Sequence, residues 1–180
     1  MDKRLKQLVE EPLSNVDLSN FLNDINIELH QKNKINIFTV EQAIENPRLF
    51  NTRLNKNGYC IFFINPQGSA VGHWTIMFKN SRNEYFFFDS YGNNPKALDI
   101  NLFGFLMKYY KDLIYNTFQY QQYNAKIATC GRYSTLILGL LKIHPDLDVD
   151  VIHKIMVNYK KQLKLKTYDE VVSRLVNFDI

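Results

Sequence analysis

Three runs of aromatic and β-branched residues mark the middle of the chain: YCIFFI (residues 59–64), HWTIMF (73–78) and YFFFDS (85–90). The turn-rich segments NPQGSAVG and KNSRNE separate them, and connections this short favour antiparallel neighbours. Hydrophobicity along the runs is nearly continuous rather than alternating, which predicts helices over at least one face of the sheet. Ahead of them, Ser14 and Asp17 have capping-box spacing, and Leu18, Phe21, Leu22, Ile25 and Leu29 follow at helical intervals. In residues 33–57, IFTV reads as a short strand and EQAIEN as one or two helical turns, with Pro47 ending what precedes it. Beyond the central runs, 102–114 reads as a helix, FQYQQ (118–122) as a further strand and 130–143 as a buried helix stopping before Pro145. Two more helices are predicted at 149–163 and 168–178, the second opened by a capping box of Thr167 and Glu170. The expected fold is α+β: a small, mostly antiparallel central sheet flanked by helices. No repeat or Gly/Ser linker divides the sequence, so residues 1–180 read as a single domain.

Composition narrows the function. The 180 residues carry 22 Lys and Arg against 18 Asp and Glu, a formal charge of +4, and are 46% hydrophobic. Such a chain buries an ordinary core and is not intrinsically disordered. No apolar run approaches the ~18–20 residues of a membrane span. The start, MDKRLKQLVEEPLSN, places two acidic residues where a signal peptide has its apolar stretch, so secretion by that route is not expected. Two cysteines, Cys60 and Cys130, make neither a disulfide framework nor a four-ligand zinc site. The reading is a reduced intracellular protein in which any cysteine chemistry comes from one thiol.

Familiar nucleotide, zinc and dithiol motifs are missing: the sequence has no Walker A loop, G-x-G-x-x-G, H-E-x-x-H or C-x-x-C. The segment Gly68-Ser-Ala-Val-Gly72 lacks the central Ser of a nucleophile elbow. The four histidines are scattered, so neither a cofactor nor a metal is expected. One constellation remains. His73 opens the second central run and Asp89 closes the third, so an antiparallel hairpin can bring them together, the carboxylate orienting the imidazole. Cys130 starts an apolar helix, where unpaired N–H groups and the positive end of the dipole favour a thiolate. Gly131 leaves its flank open to an acyl group. The Cys130 N–H can face an oxyanion, with Gln121 or Gln122 as a second donor. Taken singly, a Cys on an apolar helix, a His on a strand and an Asp before Ser-Tyr-Gly are ordinary structural residues; the set is what points to chemistry. Cys60, inside YCIFFI, belongs to the core.

GHWTIMF with His73, FFFDSYG with Asp89 and QYQQYNAKIATCGRYS with Cys130 resemble the adenovirus-protease and SUMO-protease group of cysteine peptidases. Within that group the chain is most similar to the maturation proteases of virophages and Polinton/Maverick elements. The resemblance implies His73 as general base, Asp89 as its orienting acid, Cys130 as nucleophile, and Gln121, ahead of Gln122, in the oxyanion hole. It also implies that Trp74 covers the imidazole. The group's Gln usually stands six or seven residues before the Cys, so the longer spacing here is a departure. The implied activity is a cysteine endopeptidase cleaving capsid and other structural precursors during virion maturation. It would act as a monomer in the virus factory of the host cytoplasm and in the virion, with no membrane partner. Two alternatives stay open: a protease that deconjugates ubiquitin-like modifiers, and a non-enzymatic capsid- or DNA-binding protein on a degenerate protease fold. The latter would use a weak DNA contact through the basic helix bearing Lys154, Lys160, Lys161 and Lys164.

Overall fold

A computed structural model describes residues 3–14, 16–18, 20, 36–65 and 72–176. Its centre is a five-stranded sheet in the order β1-β2-β3-β4-β5, formed by β1 (Ile37–Thr39), β2 (Tyr59–Ile64), β3 (His73–Lys79), β4 (Tyr85–Phe88) and β5 (Ile114–Tyr115). The three aromatic runs are the middle strands and pair antiparallel, with Ile61 opposite Ile76 and Ile76 opposite Phe88. Both outer strands add in parallel, β1 to β2 and β5 to β4, so the sheet is mixed.

Each strand places alternate side chains in two different cores. Ile61, Trp74, Ile76, Phe78, Phe86 and Phe88 face one helical layer. Cys60, Phe62, Ile64, Met77 and Phe87 face the other. That two-sided burial explains the unbroken hydrophobicity of YCIFFI and HWTIMF. The second layer consists of α2 (Val40–Glu45), α3 (Pro47–Asn57) and α5 (Ile100–Tyr109), with the short α4 (Pro95–Leu98) leading into α5. Phe50 of α3 lies at its centre, 5.2 to 5.3 Å from the rings of Phe38, Phe62 and Phe105. The first layer holds α6 (Cys130–Ile143), α7 (Val149–Gln162) and α8 (Tyr168–Leu175), with α1 (Lys3–Glu10) packed on α8.

Local chemistry sets the helix boundaries. Thr39 and Gln42 form a capping box on α2, and Pro47 opens α3 as its first residue rather than merely ending the preceding turn. The capping box of Thr167 and Glu170 opens α8 as its spacing predicts. Ser14 and Asp17 exchange the expected capping contacts, Ser14 N–H to Asp17 Oδ2 at 2.8 Å and Asp17 N–H to Ser14 Oγ at 3.2 Å. Residues 16–18 are helical and Leu18 is buried in the first core, while Phe21, Leu22, Ile25 and Leu29 of that predicted helix, and the last two residues of the predicted C-terminal one, lie outside the described residues.

Two expectations are corrected. The helix read at 102–114 stops at Tyr109, because a turn after it brings Ile114 and Tyr115 alongside β4. FQYQQ is not a strand: the N–H groups of Tyr120 and Gln121 both donate to the single carbonyl of Ser90, at 2.9 Å each, instead of entering a ladder. Among the described residues, no helix is long and apolar enough to cross a membrane, and no group of three His, Cys, Asp or Glu side chains could hold a metal ion.

Candidate active site

The start of β3, the segment leaving β4 and the N-terminus of α6 meet at one end of the sheet. His73 is the first residue of β3, and its Nε2 is hydrogen-bonded to Oδ1 of Asp89. The pairing of Ile76 with Phe88 puts Asp89 one step beyond β4, across from Thr75. The carboxylate therefore reaches His73 diagonally along one face, rather than from directly opposite. Asp89 is fully buried, and its second oxygen accepts the Asn93 N–H at 2.9 Å. Its own peptide is gripped by Asn116, whose Oδ1 accepts the Asp89 N–H at 2.9 Å while Nδ2 donates to the Asp89 carbonyl at 2.8 Å. The turn that follows needs Gly92: its φ is +74°, and a Cβ there would sit 2.8 Å from the Phe118 carbonyl carbon.

Cys130 is the first residue of α6 and remains partly exposed. The preceding Thr129 does not cap the helix; its hydroxyl donates to Asp169 instead, leaving the first-turn N–H groups without a side-chain partner. Cys130 lies close enough to the His73 ring to raise its pKa, and because Asp89 holds Nε2, Nδ1 is the ring nitrogen left for a further partner. Burial opposes charge on this ring, but the hydrogen bonds to Asp89 and Cys130 and their negative charge outweigh it, so the His73 pKa is pushed up to about 9. The imidazolium form is thus favoured between a carboxylate and a thiol.

Of the two glutamines, only Gln121 is buried at the site; the Gln122 side chain is exposed. Gln121 Oε1 accepts the Ser90 hydroxyl at 2.7 Å, and Nε2 donates to the Tyr91 hydroxyl at 3.0 Å and the Ile127 carbonyl at 3.3 Å. The ring lying against the imidazole is Tyr91, with centroids 5.1 Å apart, and not Trp74. Side-chain alternation turns Trp74 to the other face of β3, where it packs on Phe63 at 4.6 Å. The space beside Gly131 is also filled rather than open: a Cβ there would meet Leu13 Cβ at 3.1 Å and Trp74 Cδ1 at 3.4 Å. The N-terminal segment lies close by, its Val9 carbonyl accepting the Ala128 N–H at 3.0 Å.

Sequence reasoning missed Asp169, fully buried on α8. It accepts the Thr129 hydroxyl, the Gln122 N–H at 3.0 Å and the Tyr133 hydroxyl at 3.4 Å. One carboxylate therefore ties down the residue before Cys130 and the residue after Gln121. Burial raises its pKa against the opposing effect of these donors. Tyr91 was within reach of the sequence, since extending the β3–β4 register places it across from His73. On the basic helix, Lys154 and Lys161 are exposed, as is Lys164 just beyond it, whereas Lys160 lies over the Tyr168 ring at 4.6 Å.

No family model matches the chain. The uncharacterized protein V9 of Sputnik virophage is 30% identical over 161 residues, covering 81% of this chain and 84% of V9. Among solved structures, the central domain of the uncharacterized Lpg1148 protein from Legionella pneumophila is similar at a TM-score of 0.42 and 11% identity, covering 92% of this chain and 97% of that one.

Proposed function

This chain belongs to the family of the Sputnik virophage protein V9, and from that premise we propose that it is a cysteine endopeptidase that cleaves viral structural precursors during particle assembly. One observation carries the reading: the His73 ring stands between the Asp89 carboxylate and the Cys130 thiol, and the thiol sits at the uncapped start of a helix. That order of nucleophile, base and orienting acid is what acyl transfer through a thioester requires.

In the first step the Cys130 sulfur, its proton already held on the His73 imidazolium, attacks the peptide carbonyl carbon. A C–S bond forms as the carbonyl π pair moves onto oxygen. The intermediate collapses, the C–N bond breaks, and the imidazolium gives its proton to the departing amine. Water, deprotonated by His73, then attacks the thioester and releases the new carboxylate and the thiol. Asp89 holds the ring throughout and stabilises its positive charge. The N–H of Cys130 faces the developing oxyanion. The resemblance to the protease group also implies small residues such as Gly near the scissile bond.

The test incubates wild-type protein and Cys130→Ala with candidate capsid precursors, with cut sites read by mass spectrometry. Discrete cuts by wild type and none by an equally stable Cys130→Ala are expected. Identical digestion by both, or no cleavage by wild type of any precursor from its own virus, overturns the proposal.

A further inference from the structure

The geometry points to the Tyr91 hydroxyl as a hydrogen-bond donor to the oxyanion formed at Cys130, with Gln121 behind it as a positioning residue. The assignment rests on the peptidase reading and changes which side chain meets the substrate.

It begins with the Gln121 amide, whose orientation is fixed. The Ile127 carbonyl can only accept, so the nitrogen must face it, while Oε1 receives the Ser90 hydroxyl. An amide nitrogen has two N–H groups, and both are engaged, one by Ile127 and one by Tyr91. Gln121, 1% exposed, cannot serve an oxyanion without abandoning a buried partner. Tyr91 is the reverse case. Its oxygen accepts from Gln121, which leaves its own O–H to donate, and among the described residues no acceptor takes it. The ring is held at the site from both sides: it lies on His73, and Tyr123 stacks on it at 4.6 Å and 4°. Cys130 is near enough to act on the phenol's ionisation. Burial first, and then the charges of Cys130 and Asp89, push its pKa up to about 12, so the hydroxyl keeps its proton at neutral pH. A neutral donor beside a forming oxyanion stabilises it without transferring a proton. Accepting from Gln121 polarises the O–H further.

A transition-state mimic separates this role from a structural one. A peptide aldehyde such as acetyl-Gly-Gly-glycinal adds the Cys130 thiol to form a hemithioacetal whose oxygen occupies the oxyanion position. Iodoacetamide alkylates the same sulfur without forming any oxyanion. The measurement is protection of Cys130 from iodoacetamide by the aldehyde, in wild type, Tyr91→Phe, Gln121→Ala and the double variant. In Tyr91→Phe, which keeps the stacked ring, we expect an unchanged alkylation rate and pH profile but roughly 10²-fold more aldehyde needed for protection. Gln121→Ala should weaken protection in the wild-type background and add little in Tyr91→Phe. Equal protection of wild type and Tyr91→Phe overturns the assignment while leaving the peptidase intact. So does a full Gln121→Ala effect on top of Tyr91→Phe. A wild type alkylated by iodoacetamide but not protected by the aldehyde at any concentration takes down both this assignment and the peptidase reading.

Discussion

Asn116 holds Asp89 by both its backbone N–H and its carbonyl, its side-chain amide taking the place that a neighbouring strand would occupy. The Asp89 N–H and carbonyl bond to one side chain at 2.9 and 2.8 Å, just where β5 has ended and no ladder remains to satisfy them. The same Nδ2 also donates to the Phe118 carbonyl at 3.1 Å, which stitches the segment after β5 to the acid of the site. Asn116→Ala leaves the buried Asp89 N–H unpaired, while the Asp89 carbonyl keeps the Gly92 N–H at 2.9 Å, and a loss of about 1–3 kcal/mol in urea denaturation is expected. Asn116→Asp, which keeps the acceptor but brings a negative charge beside the Asp89 carbonyl, should be no less harmful.

The elevated pKa of His73 sets a pH dependence with a definite sign. Its folded value of about 9 lies above the ordinary 6.5, so the folded state holds the ring proton more tightly than the unfolded chain does. The resulting stability is fully present below about pH 6.5 and is lost as pH rises through about 9. Denaturation midpoints measured across that window should fall for wild type and stay flatter for Asp89→Asn, whose ring has lost its carboxylate. Cleavage should fall through the same upper limit, because a neutral imidazole has no proton to give the leaving amine.

The two thiols should differ sharply towards an alkylating agent. Cys60 is fully buried, its sulfur 4.0 Å from the Phe50 carbonyl, and burial pushes its pKa far above the ordinary thiol range. Cys130 is partly exposed beside His73. Mass mapping after brief iodoacetamide treatment should find label on Cys130 alone, with Cys60 modified only in denaturant. Equal labelling of both in the folded protein contradicts this arrangement.

Asp169 offers a test of positioning at a distance. Its carboxylate binds Thr129 and the Gln122 N–H, so Asp169→Ala frees the residue before Cys130 and the one after Gln121. A displacement of about 1 Å there is enough to cost on the order of 10²-fold in kcat/KM. Asp169→Asn keeps an acceptor for Thr129 and should recover much of that loss. Comparing the two variants in single-turnover cleavage separates a geometric role from a charge role.

Much of the architecture is written locally. Thr167 and Glu170 announce α8 because both halves of a capping box lie within one turn, and the three central strands announce themselves by two-sided hydrophobicity. His73 and Asp89 were legible for a related reason: a hairpin links them, so spacing alone constrains their approach. FQYQQ misled because its aromatic and polar alternation imitates a strand, while its N–H groups are claimed by Ser90 from outside. Asp169 and Asn116 carried no signal, because what defines them is a partner 47 and 27 residues away in sequence. Tyr91 was overshadowed by Trp74, whose place next to His73 in sequence suggested a contact that strand alternation forbids.

The sheet's borders have a consequence for how a polypeptide can be gripped. β1 is three residues long and β5 only two, so neither rim offers room to add an extended chain as a sixth strand through more than two or three main-chain bonds. The same brevity deprives neighbouring molecules of a template for edge-to-edge association. Under the proposed peptidase activity, a client chain would be held by side chains and loops around the Cys130 thiol, which would place sequence selectivity in those loops and leave the sheet as their anvil.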